Sequence, residues 1–345
     1  MTLEREANSL PDGDERAASF AMLTLLARSL VARSVPVACR LGIPEAIGDG
    51  ARTADDLAAA LGADTGALRR LLRALAVLGA VSRDGDRYSL TALGRTLLPG
   101  RYSLAEAARF FGDPFYLRAW EALDDAVTDG QSAFRHAHGA GLFDYIGEHP
   151  DALATFQGWM TRQSALQTPA VLAAYDFGGA GTIVDVGGGH GTLLAAILAA
   201  QPAARGILYD APGVVADASP VLAPVADRSE IVSGDFFSAV PRGGDTYVLK
   251  HIVHDWDDER ALRILRNVRA VVPDTGRVVV VDTVLPDEDV YTHGFFLDLT
   301  MLVMTDGGRE RTAGEFAALL GDAGLSLSRI VPTESPVSVI EAVPA

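Results

Sequence analysis

Cysteine is nearly absent from this chain: Cys39 stands alone among 345 residues. An intramolecular disulfide is therefore excluded, and a reducing cytoplasm is the expected compartment. Basic residues are also in short supply, 29 against 45 acidic ones, for a formal net charge of −16. That balance repels phosphate backbones and anionic lipid, so neither nucleic acid nor a membrane surface is expected as a partner. The first residues include Glu4, Glu6, Asp12, Asp14 and Glu15 and show no secretory pattern. An uninterrupted apolar span is lacking too, because Arg28, Arg33, Pro36 and Arg40 break the stretch from Phe20 to Ile47, which argues against a bilayer crossing.

What is present is a globular composition, 49% hydrophobic and 21% charged, at a length that suggests more than one domain. Residues 17–48 read as helices with broad apolar faces (Phe20, Leu23, Leu26, Leu30), more than one chain needs for its own core, so an oligomer interface is expected there. Next, Thr53 opens a helix containing Leu57 and Leu61, and a turn leads into a second helix over 66–78. Strand-like pieces follow at Val81-Ser82 and Arg87–Leu90, completing a winged helix-turn-helix pattern. Arg69, Arg70 and Arg73 on its second helix raise DNA binding, but the adjacent Asp55, Asp56 and Asp64 and the acidic chain favour a scaffolding use. Aromatics make up only 7% of the sequence, yet they gather in the mostly helical stretch 103–174, among them Trp120, Phe134, Phe143 and Phe156. From about residue 180 strands alternate with helices, implying a mostly parallel, doubly wound sheet closed by two antiparallel strands, 325–331 and 337–343. The expected division is 1–102, 103–174 and 175–345.

Chemistry concentrates in the last part. The run Asp185-Val-Gly-Gly-Gly-His-Gly191 places glycines between a buried strand and a helix start, where backbone approaches a ligand closely. A dinucleotide fingerprint would need glycine at 192, which is threonine; Gly187-x-Gly189-x-Gly191 after Asp185 is the methyltransferase form of this turn. Asp210 ends the next strand, 19 residues past Gly191, where a carboxylate can accept both ribose hydroxyls of a nucleoside. Gly234-Asp235-Phe236-Phe237 follows another strand and offers an acid and an aromatic ring for an adenine. Lys250-His-Ile-Val-His-Asp-Trp256 ends the fourth strand. His251 and His254 have a spacing reminiscent of metal sites, but no third ligand offers itself in a convincing context. His254 reads better as a general base, with either Asp282 or Glu310 orienting its imidazole.

Together these blocks resemble the plant-type small-molecule O-methyltransferases of caffeic acid and flavonoids and their bacterial relatives that tailor aromatic polyketides. The resemblance spans nearly the whole chain. It implies a Rossmann-like α/β domain behind an N-terminal helical, winged-helix dimerisation domain, and a homodimer formed through the N-terminal helices. It implies S-adenosyl-L-methionine as cofactor and S-adenosyl-L-homocysteine as product, with contacts from Asp185, Gly187, Gly189, Asp210, Asp235, Phe236, Lys250 and Trp256. His254 is implied as the base, flanked by Asp282 and Glu310. Phe156, Met160, Gln163, Met301 and Thr305 are implied around the small aromatic acceptor, and no metal is required. Two departures stand out. Asp282 replaces the family's glutamate, shortening that carboxylate by one methylene and leaving its contact with His254 open. His190 replaces a small residue in the glycine turn. Retention of His254 favours methyl transfer over the hydroxylation or decarboxylation that some relatives perform, and a winged-helix regulator is the more distant alternative.

Overall fold

The computed structural model describes residues 15–100, 102–288 and 292–345. Glu4, Glu6, Asp12 and Asp14 lie outside the described residues. The chain divides between Pro114 and Phe115 into two compact units. Helices of the stretch expected to form a separate linker fall in both: Ala105–Phe111 in the first, Leu123–Asp129 through Pro150–Ala174 in the second.

The first unit opens with α1 (Glu15–Ala32), none of whose residues is buried, followed by α2 (Ser34–Arg40). By length and composition alone the stretch Glu15–Arg40 is long and apolar enough to cross a membrane in spite of its arginines. A three-stranded sheet of order β1-β3-β2 follows, built from β1 (Ala51–Thr53), β2 (Val81–Asp84) and β3 (Arg87–Leu90). The three residues of β1 carry no strand pattern of their own and are held by pairing with β3. Thr53 and Asp56 form a capping box that starts α3 (Ala54–Leu61), and the Asp64 carboxylate caps α4 (Thr65–Val77) by accepting the Ala67 N–H. Leu68, Leu72 and Leu75 recur at helical spacing and pack with Leu57, Val81 and Tyr88 into this unit's core. Arg69, Arg70 and Arg73 face solvent, and Arg69 is paired with Asp55 at 2.9 Å.

The second unit carries α5 (Pro150–Ala174), then β4 (Thr182–Val186), α6 (Thr192–Ala200), β5 (Arg205–Asp210), β6 (Ser229–Ser233), β7 (Thr246–Lys250), α7 (Asp258–Arg269) and β8 (Arg277–Asp282). After these come β9 (Val284–Leu285), α8 (His293–Met304), β10 (Arg311–Thr312), α9 (Ala313–Asp322), β11 (Leu325–Pro332) and β12 (Ser338–Pro344). Seven strands form one sheet of order β11-β12-β8-β7-β4-β5-β6. Only β12 opposes its neighbours; β4, β5, β6, β7 and β8 are mutually parallel. Val278 and Val280 point into the core under α7 and α9, whereas Val279 and Val281 point into the core under α6. A continuous apolar run is the mark of a strand buried on both faces. The strand expected over 246–252 ends at Lys250, because His251 takes a positive φ of 55° that pairing cannot continue. The strand expected over 277–284 likewise breaks after Asp282, and Val284–Leu285 instead pairs in parallel with β10.

Candidate active site

Because β4 to β8 run parallel, their carboxyl ends share one edge of the sheet. Gly187, Asp210, Gly234-Asp235, Lys250-His251 and Asp282 all follow or close those strands. Ligands of open α/β sheets bind at that edge, near the point where strand order reverses, here between β4 and β7.

The glycine turn is shaped by close approach. Gly187 has φ +68°, and a Cβ there would stand 2.3 Å from Ile252 Cδ1. The Gly189 N–H donates to Asp210 Oδ2 at 2.8 Å and the Ala211 N–H to Asp210 Oδ1 at 2.7 Å. Each oxygen of Asp210 thus keeps a lone pair for a further donor. Burial raises the Asp210 pKa, opposed by those two N–H groups. Asp185 lies beneath the turn, 2% exposed, with its Oδ2 unpartnered. Burial pushes it up to about 7, while Lys250 opposes the shift; burial pulls Lys250 down to about 8 against the attraction of Asp185 and Asp282. Asp235 accepts the Phe237 N–H at 2.9 Å and the Ser238 hydroxyl at 2.8 Å, so its carboxylate is anchored in its own turn. Phe236 lies 6.3 Å from Trp256, whose ring also packs on Phe237 and Phe143 and whose Nε1 is buried without a partner. His190 reaches Thr161 of α5 at 3.0 Å.

Beside this turn lies a buried imidazole. His254 is 6% exposed, and its Nδ1 lies 2.7 Å from Glu310 Oε1. Glu310 is itself 2% exposed, and its backbone N–H donates to Asp298 Oδ1 at 2.9 Å. Burial alone would lower the His254 pKa, but Glu310, Asp282 and Asp255 outweigh it and hold the group up to about 10. Asp282 reaches neither nitrogen of His254 by a hydrogen bond: both of its oxygens are buried and unpartnered. Its nearest basic atom is His251 Nδ1, 3.7 Å away. The His251 Nε2–H donates instead to Gln167 Oε1 on α5 at 2.8 Å. Gln167 lies four residues beyond Gln163, on the face that also carries Phe156 and Met160. The Phe156 ring meets Phe143 edge-on at 6.3 Å, and Phe143 stacks on Trp256 at 5.3 Å. Met301 and Thr305 are buried at the end of α8, where the Thr305 hydroxyl donates to the Met301 carbonyl at 2.8 Å and accepts the Gly308 N–H.

Sequence reasoning assigned no role to Arg311, Gln167, Asp298 or His251. Arg311 is fully buried and bonds Asp258 at 2.8 Å, the Val253 carbonyl at 3.1 Å and the Trp256 carbonyl at 3.0 Å. It thereby clamps the His254 turn to the Glu310 segment, and only its place beside Glu310 in the sequence hinted at this. Gly308 sits in the same contact: a Cβ there would lie 2.2 Å from Thr305 Oγ1 and 2.6 Å from the His254 carbonyl. Gly308→Ala is expected to part the two segments and lower turnover at least about tenfold, with a fall in thermal midpoint of a few degrees. A differential scan and steady-state rates check this.

Residues 120–326 match the O-methyltransferase domain, and residues 23–111 the O-methyltransferase dimerisation domain. The chain belongs to the O-methyltransferase family. Among its relatives, the mitomycin biosynthesis 6-O-methyltransferase of Streptomyces lavendulae is 40% identical, over 99% of each chain. The phenazine O-methyltransferase of Lysobacter antibioticus is 39% identical over 100% of each. The solved structure of a calicheamicin-biosynthesis methyltransferase, in its S-adenosylhomocysteine-bound form, superposes with a TM-score of 0.86 at 35% identity, covering 97% of this chain and 100% of that one. This O-methyltransferase uses S-adenosylmethionine. The edge described above fits that group: a tight glycine turn whose backbone stays bare because Ile252 leaves no room for a side chain at Gly187, carboxylate lone pairs at Asp210, and rings at Phe236 and Trp256.

Proposed function

We propose that this O-methyltransferase methylates a phenolic hydroxyl on a small, flat aromatic molecule, with His254 as general base. The observation that carries this reading is the buried His254–Glu310 pair at 2.7 Å, beside the glycine turn on the carboxyl edge of the sheet. S-adenosylmethionine, when bound, supplies a methyl on cationic sulfur, a strong donor in its own right. Glu310 takes the Nδ1–H of His254 and so leaves Nε2 as the atom that accepts the hydroxyl proton. The imidazolium that results is stabilised by the Glu310 carboxylate. Burial lowers the His254 pKa, but Glu310, Asp282 and Asp255 hold it up to about 10, so the imidazole carries a proton at neutral pH and must lose it before taking one from a phenol; turnover should therefore rise toward alkaline pH. Asp298 positions Glu310, and Arg311 holds the two segments together.

Asp210 would accept the ribose hydroxyls, with Gly187 and Gly189 admitting the nucleoside's backbone-side approach. Phe236 and Trp256 would border the adenine, with Asp235 at its rim and Lys250 and Asp185 beneath. Phe156, Met160, Gln163, Met301 and Thr305 would surround the acceptor. The relatives named for mitomycin and phenazine support a fused-ring acceptor. Incubation with S-adenosylmethionine and a panel of hydroxylated naphthoquinones, phenazines and simple phenols should give a product one methyl heavier and stoichiometric S-adenosylhomocysteine. Methylation confined to amines or thiols would overturn the phenolic assignment.

The dimerisation domain match supports a homodimer built on α1, where Phe20, Met22, Leu23, Leu26 and Leu30 are all more than half exposed. Light scattering should return twice the 36.3 kDa of one chain. A single-chain mass at micromolar concentration would refute it.

A further inference from the structure

Methyl transfer accounts for His254 but for neither His251 nor the buried carboxylate of Asp282, which lie beside it. One ligand atom from each lies within 4.8 Å of the others. The His251 Nε2–H is committed to Gln167 Oε1 at 2.8 Å and the His254 Nδ1–H to Glu310 at 2.7 Å. The first bond fixes the His251 tautomer and leaves its Nδ1 lone pair 3.7 Å from Asp282 Oδ1, while His254 Nε2 lies 3.6 Å from Asp255 Oδ1. His251 Nδ1 and both Asp282 oxygens are buried with no hydrogen-bond partner. The two imidazoles stack at 4.9 Å and 29°, so neither can swing away freely.

We propose that His251, His254 and Asp282 bind a borderline divalent transition-metal ion, zinc in type, and that this ion switches the enzyme off by occupying the base. Metal-bound histidines characteristically donate their second ring N–H to a carboxylate or carbonyl, which is what Glu310 and Gln167 accept here. Two imidazoles and one carboxylate suit zinc or cobalt and give little hold on magnesium or calcium. Zinc bonds of about 2.0–2.2 Å place ligand atoms roughly 3.4 Å apart in a tetrahedron. His251 and Asp282, at 3.7 Å, are close to that spacing, and the widest separation in the group, up to 4.8 Å, has to close by up to about 1.4 Å when the ion is taken up. Three protein ligands leave a fourth position for water or the acceptor oxygen. The lone pair of His254 Nε2 cannot hold a metal and a proton together, so metal and methyl transfer exclude each other. That inhibitory consequence rests on the proposed role of His254; the binding itself does not.

The test titrates the full-length protein with zinc by calorimetry and with cobalt by visible absorption, in the presence of S-adenosylhomocysteine. The expected result is one zinc per chain at micromolar affinity or tighter, ligand-field bands with cobalt, and no heat with magnesium. His251→Phe should weaken zinc by at least about 100-fold, and Gln167→Leu by about 10-fold, the loss typical of an orienting partner. Asp282→Asn gives the same comparison should His251→Phe fail to fold. Zinc binding that is absent from folded wild-type protein, or equal in wild type and variants, would overturn the site. Stoichiometric zinc that leaves methyl transfer undiminished would keep the site, refute the switch and remove His254 as the base.

Discussion

His254→Gln is expected to lower kcat by about 10²–10⁴-fold, the usual contribution of a positioned general base, while S-adenosylhomocysteine binds as tightly as before. The imidazole contacts Glu310 and faces Asp255 and Asp282, and none of these bonds involves the glycine turn or Asp210. Glutamine fills much of the ring's volume but takes no proton from a phenol. What survives is the acceleration due to holding acceptor and donor in line. Glu310→Gln keeps a hydrogen bond to Nδ1 yet removes the charge that favours the imidazolium, so its loss should be smaller. Because the two groups act as a unit, the double variant should be no slower than His254→Gln alone. Steady-state rates on one methylated phenol decide this, with calorimetry of S-adenosylhomocysteine alongside. A His254→Gln enzyme turning over at the wild-type rate would end the general-base reading.

Asp210→Ala should weaken S-adenosylhomocysteine binding by about 10²–10⁴-fold. A hydrogen bond to a charged acceptor contributes about 1.5–3 kcal/mol, and two ribose hydroxyls would be lost together. The carboxylate also accepts the Gly189 and Ala211 N–H groups at 2.8 and 2.7 Å, so its removal loosens the turn that must admit the nucleoside. Asn keeps one acceptor oxygen and should fall between the two. The measurement is calorimetric, on protein whose circular dichroism matches wild type. Unchanged affinity would place the nucleoside elsewhere and take the glycine-turn reading with it.

Much of this was legible in the sequence because it is local. The helix start expected at Thr53 is where the chain places it, with a capping box between Thr53 and Asp56. The strand–glycine–helix run at 182–200 and the acid ending β5 declare themselves by spacing alone, since a buried strand and a tight turn each impose their own residue types. What stayed hidden depends on partners far along the chain. β1 exists only through register with β3. Gln167 meets His251 across 84 positions, and the direction of that imidazole follows from a positive φ at a non-glycine residue that no pattern announces. Asp282 was read, with Glu310, as one of two carboxylates able to orient His254, its reach left open; it makes no hydrogen bond to that imidazole and lies 3.7 Å from His251 Nδ1. Arg311 resembled any surface arginine until folding buried it against two backbone carbonyls.

The placement of β12 bears on how the enzyme is made. Its residues, Ser338–Pro344, pair with β8 on one side and β11 on the other. Until that strand is laid in, the four valines 278–281 of β8 present an open, apolar edge to any other chain with a free strand. During synthesis or refolding this is a slow, long-range step preceded by a sticky intermediate. Losses on overexpression or after acid refolding should therefore be aggregation through β8, and variants that weaken β12 should reduce yield of folded protein well before they touch the chemistry of the molecules that do fold.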